Sequence, residues 1–120
     1  MKKYSILLIS LLILSLSGCV QKSYKKTVVV TLRVPDRKDI KSVGIRGQAK
    51  PLSWDNDFEM KPVVKDSLYT ATITAVTGYK FAEIKFTVNG KFELKEQSNR
   101  RVMFNDKDTT YYNAIFDSNK

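Results

Sequence analysis

Residues 68–76 read Leu68-Tyr69-Thr70-Ala71-Thr72-Ile73-Thr74-Ala75-Val76. Tyr69, Ala71, Ile73 and Ala75 fall on one side of an extended chain, and Thr70, Thr72 and Thr74 on the other. A period of two with β-branched residues predicts a strand buried on one face. Residues 27–34 repeat the pattern, with Val28, Val30, Leu32 and Val34 opposite Val29, Thr31 and Arg33. That run stops at the charged turn Pro35-Asp36-Arg37-Lys38-Asp39. In residues 81–88, Ile84, Phe86 and Val88 share a face, with Lys85 and Thr87 opposite. Asn89-Gly90 then predicts a two-residue hairpin into residues 91–94. Shorter extended runs are expected at 42–46, at 58–64 (interrupted by Pro62), at 101–104 and at 109–116. About seven or eight short strands without a helical period predict an all-β fold, an antiparallel immunoglobulin-like β-sandwich.

Composition narrows the chemistry. The chain has 120 residues, with 21 Lys+Arg against 12 Asp+Glu, no His and one Cys. That length suits one domain. Without His there is no Ser-His-Asp or Cys-His nucleophile and no imidazole metal site, and one Cys makes neither an internal disulfide nor a thiolate cluster. No metal or cofactor is therefore expected. A glycosidase would need two carboxylates flanking a cleft, for which so short a chain leaves little room. A non-catalytic module is the expectation.

The N-terminus carries an address. Lys2 and Lys3 precede an apolar stretch from Ile6 to Leu16, followed by Leu16-Ser17-Gly18-Cys19. The apolar core is shorter than the roughly 20 residues of a membrane span and reads as a secretory signal. Its ending resembles the cleavage box of bacterial lipoproteins, in which the Cys sulfur accepts a diacylglyceryl group. The resemblance implies a signal at 1–18, lipidation of Cys19, a tether at 19–26 and a domain over 27–117. It implies a membrane-anchored envelope protein, on the outer membrane in a Gram-negative cell. Two or more acyl chains anchor stably where one does so only marginally. Lys22, Lys25 and Lys26 in the tether suit anionic headgroups. The chain carries no nucleic-acid-binding motif, and no nucleic-acid partner is expected.

One further constellation spans the middle of the chain. Gly47 is followed by Pro51-Leu52-Ser53-Trp54-Asp55, then Glu83-Ile84-Lys85-Phe86, Phe92-Glu93 and Ser98-Asn99-Arg100. This order resembles the starch-binding domains of carbohydrate-binding module family 20 and their glycogen-binding relatives, over about half of the chain that follows Cys19. The resemblance implies that Trp54 stacks on a glucose ring and that Lys85 and Asn99 hydrogen-bond its hydroxyls. Phe92 stands where the family has a second tryptophan, Ile84 where it has tyrosine, and the gap to Asn99 is longer. The segment between Asp55 and Leu68, which carries part of the second sugar site in such domains, is shorter, so the resemblance carries over no second site.

The residue types suit that ligand. A glucose ring offers an apolar C–H face and a hydroxyl rim, which call for a flat aromatic plus a few fixed donors and acceptors. Asp55 and Glu93 are the nearby acceptors. The expected ligand is an α-glucan or another oligosaccharide. The rival expectation is a structural or protein-interaction lipoprotein that contacts an envelope protein.

Overall fold

The computed structural model describes residues 22–119. The signal segment, Cys19 and the first residues of the expected tether lie outside them. The described chain is all-β. Its strands are β1 (Tyr24–Arg33), β2 (Val43–Gly47), β3 (Phe58–Glu59), β4 (Lys61–Val64), β5 (Leu68–Thr77), β6 (Phe81–Val88), β7 (Lys91–Phe92), β8 (Arg100–Met103) and β9 (Thr109–Ile115). They form a four-stranded sheet in the order β4-β5-β1-β9 and a five-stranded sheet in the order β3-β2-β6-β7, in which β8 also pairs with β6.

The alternation read in the sequence makes the core. Val28, Val30 and Leu32 of β1 and Tyr69, Ala71 and Ile73 of β5 are buried against Ile45 of β2 and Ile84 and Phe86 of β6. Burying a side chain of this size contributes about 1.5–3 kcal/mol, so one apolar seam accounts for the pairing of the two sheets. Asn89 and Gly90 take φ of 52° and 79°, the left-handed pair that a tight hairpin between β6 and β7 requires. The Asn89 side chain also accepts from the Lys41 and Ser42 amides, tying the turn to the start of β2.

The arrangement departs from the expected one in three places. First, β1 and β9 run parallel, Thr27 opposite Thr109 through to Arg33 opposite Ile115, so the fold is not wholly antiparallel. Strand alternation carries no information on direction, which depends on the distant strand that supplies the partner. Second, residues 58–64 are two strands in different sheets, and Pro62 is not the cause of the break. Met60 is buried between them and donates its amide to the Val43 carbonyl, so the chain crosses from sheet to sheet there. Pro62 sits within edge strand β4, where a missing N–H is tolerated. Third, β1 begins at Tyr24, so the last three residues of the expected tether are paired with β5.

Candidate functional site

The outer face of the five-stranded sheet places two cations side by side. With Ile45 and Phe86 turned inward, Arg46 and Lys85 point out, directly opposite each other in the β2–β6 ladder. Like charges at such a position repel. The two side chains resolve this by reaching in different directions. Arg46 Nε donates to Asp57 Oδ1 at 2.7 Å and its Nη1 to the Trp54 carbonyl at 3.1 Å. Lys85 Nζ donates to the Leu94 carbonyl at 3.1 Å and the Gln97 carbonyl at 3.0 Å. One cation organises the loop after β2, and the other organises the loop after β7.

The first loop leaves β2 at Gly47, and little else fits there. A Cβ at that position would lie 2.7 Å from the Glu83 carbonyl oxygen and 2.9 Å from the Leu52 side chain. Leu52 is buried, anchoring the loop to the core two residues before Trp54. Ser53 Oγ accepts the Asp55 amide and turns the chain around Trp54, which is half-buried. Asp57 lies over Gly44, where a Cβ would meet its side chain at 2.6 Å, and accepts from Thr87 Oγ1 at 2.8 Å.

The second loop starts at Phe92, 39% exposed, with the Arg46 guanidinium 4.9 Å from its ring centroid. The next residue turns inward. Glu93 is 0% exposed; its Oε2 accepts Arg100 Nε at 2.6 Å and the Phe86 amide at 3.0 Å. Its Oε1 accepts Arg100 Nη2 at 2.8 Å and the Asp117 amide at 3.1 Å. Burial alone would lower the Arg100 pKa, but hydrogen bonding and charge from Glu93 and Tyr112 carry it above the ordinary guanidinium value. Leu94 follows in a left-handed conformation, buried, with its amide on Asp117 Oδ1.

Between the two loops lies a shallow concavity of about 500 Å³, lined by Trp54, Lys85, Phe92, Glu93, Lys95, Glu96 and Asn99. Its size falls within the range of small-ligand sites. Of the residues named from the sequence, Trp54, Lys85, Phe92, Glu93 and Asn99 reach this one place, and Asp55 does not line it. Their roles divide. Trp54 and Phe92 supply aromatic surface. Lys85 has committed donors to two carbonyls and so fixes the wall as well as facing the hollow. Asn99 is exposed, with its amide 3.5 Å from Glu83 Oε2. Glu93 corrects its expectation: each carboxylate oxygen already accepts two hydrogen bonds, so it braces the wall from behind rather than meeting a ligand.

Arg46, Asp57, Lys95 and Glu96 also shape this place, with no motif in the sequence that announces them. The longer gap before Asn99 was the visible sign of the last two. Nothing local marks Arg46, whose part depends on register. No group of three or more His, Cys, Asp or Glu side chains able to hold a metal ion occurs among the described residues. Chemically the hollow offers two aromatic surfaces, amine and amide donors at Lys95 and Asn99, and a carboxylate acceptor at Glu96. No protein-family model matches the chain, and no curated protein matches it.

Proposed function

We propose that this chain is a lipid-anchored, non-catalytic carbohydrate-binding protein of the cell envelope. Its two sheets form an immunoglobulin-like sandwich of the starch-binding type, which holds an α-glucan at the concavity between Trp54 and Asn99. The observation that carries the reading is the meeting of Trp54, Phe92, Lys85 and Asn99 around one hollow from three separate stretches of chain. A sugar's apolar face would lie on the indole, and its hydroxyl rim would meet Asn99, Lys95 and Glu96.

The test is depletion of the chain from solution by insoluble starch, with elution by maltooligosaccharide. Retention lost with Trp54→Ala in a folded variant supports the reading, and failure to bind starch overturns it. A second reading, a protein-interaction lipoprotein, is favoured by the outer face of the four-stranded sheet. There Thr72, Thr74, Tyr111 and Asn113 stand exposed without a charge among them. Under that reading starch retains nothing, and substitution at Tyr111 rather than Trp54 disturbs association with an envelope protein.

A further inference from the structure

One end of the domain combines three properties that occur together nowhere else among the described residues: apolar exposure, clustered lysines and the entry of the chain from Cys19. β1 enters there at Tyr24, opposite Thr77 at the end of β5. The 78–80 turn then leads into β6 at Phe81, which faces Met103 of β8. Val76 is 70% and Tyr79 67% exposed, and Met103 and Tyr24 are each more than half exposed. Val76, Tyr79 and Phe81 line a common hollow of about 390 Å³, with the two rings 6.5 Å apart. Contiguous exposed apolar side chains of this kind mark contact sites.

Lysines surround it. Lys22, Lys25, Lys26, Lys50, Lys80 and Lys107 all belong to the segments at this end. Lys26 is held over the 104–108 turn by the Asn105 and Lys107 carbonyls. Opposing them are Asp106 and Asp108 of that turn and Glu83, which Arg101 engages at 3.5 Å while stacking on Phe81 at 4.2 Å. An amphipathic tyrosine beside apolar side chains and amines is the composition found where proteins meet a bilayer interface. The residues between Cys19 and Tyr24 can span at most about 17 Å when fully extended.

We propose that this end docks on the anionic surface of the membrane that holds the lipid anchor, with Val76, Tyr79 and Met103 at headgroup depth and the lysines around them. The proposal rests on the anchored reading of Cys19. It does not rest on sugar binding. The docked domain stands on end, because β6 runs away from the contact. Lys85 and Thr87 lie roughly 13–20 Å along that strand from Phe81, at the usual rise per residue. Lys85 and Phe92 on the far wall of the concavity therefore lie away from the bilayer, while Asn99 at its near rim reaches back toward Glu83.

Trp54 is the sole tryptophan, which gives the test an internal reference. The acylated protein is placed in vesicles of phosphatidylethanolamine and phosphatidylglycerol carrying brominated acyl chains. Trp54→Phe combined with Tyr79→Trp moves the indole to the contact without entering the core. Its emission is expected to shift to the blue and to lose most of its intensity to the bromines, whereas the native Trp54 keeps its emission. Adding Lys25→Glu and Lys80→Glu is expected to relieve the quenching. Vesicle-bound protein whose introduced indole stays unquenched overturns the docked face while leaving the anchor intact. A blue shift that grows with protein concentration in the absence of lipid overturns it in favour of a second copy. Mass spectrometry showing Cys19 unacylated overturns the anchor, and the orientation with it.

Discussion

Arg100 and Glu93 meet in a two-pronged ion pair, at 2.6 and 2.8 Å, with side chains 6% and 0% exposed. Glu93 follows directly on Phe92, and Arg100 directly on Asn99, so the pair closes the loop that walls the candidate site. Arg100 Nη2 also donates to the Ile115 and Ser118 carbonyls, which ties the loop to the end of β9. Removing one member of a buried pair leaves an uncompensated charge and costs about 3–5 kcal/mol.

Arg100→Met and Glu93→Gln are each expected to lose stability on that scale in denaturant titration. The double variant Glu93→Leu/Arg100→Met is not expected to recover it, because the Phe86 and Asp117 amides then lack their acceptor. Recovery to near the native midpoint would show that these backbone groups find other partners.

The pair also predicts a pH response. The Arg100 pKa is raised in the folded protein, so its contribution is fully present below the unfolded guanidinium value. It is lost only as pH rises through the higher folded value. Between pH 6 and 10, roughly, the difference in midpoint between native protein and Arg100→Met is expected to stay constant. A difference that shrinks across that interval would contradict the assignment.

Lys85 has both a structural and a ligand-facing part. Lys85→Met removes two hydrogen bonds from a charged donor, each worth about 1.5–3 kcal/mol at most, and releases the 94–97 turn. Stability is expected to fall by about 1–3 kcal/mol, and glucan affinity is expected to fall with it. Unchanged stability would show that the clamp onto Leu94 and Gln97 contributes nothing in solution.

For Trp54, titration with maltooligosaccharide is expected to change its fluorescence in a saturable way. Trp54→Ala is expected to abolish binding and to cost well under the roughly 3–5 kcal/mol of a core tryptophan, because the ring is half-buried. A loss of full core size with unchanged binding would remove Trp54 from the site.

Gly47→Ala tests the approach of β2 to β6. Its Cβ would sit 2.7 Å from backbone, which cannot yield as a side chain can, so overpacking is expected to cost about 1–3 kcal/mol. A neutral result in thermal melts would show that the strands separate freely there.

Cys19→Ala is expected to leave the chain unlipidated, either retained with its signal or released in soluble form. Fractionation checks this; a variant that stays in the membrane fraction after signal cleavage would contradict the lipid anchor.

The strand faces were legible because each alternation is local: Val28, Val30 and Leu32, like Tyr69, Ala71 and Ile73, lie where their period puts them. The direction of β9 and the sheet change at Met60 were not, because both depend on which distant segment supplies a partner. At the site, aromatic and amide residues could be named from their order along the chain. The inward turn of Glu93 could not, because a carboxylate next to an aromatic reads as an acceptor until Arg100 is known to wait behind it. Arg46 escaped for the same reason: only register sets it beside Lys85 and over Phe92.

The parallel pairing of β1 with β9 bears on how the domain carries tension. Chain enters β1 at one end of the sheet and leaves β9 at the other, over a shared ladder from Thr27–Thr109 to Arg33–Ile115. A pull between the two chain ends drags these neighbours in opposite senses along their length. Their hydrogen bonds then lie across the force and must break together, as in a lap joint, instead of one at a time as in a zip. A protein held at its N-terminal end and tugged near its C-terminal end would resist by shear, and its lifetime would be set by the barrier to that concerted rupture.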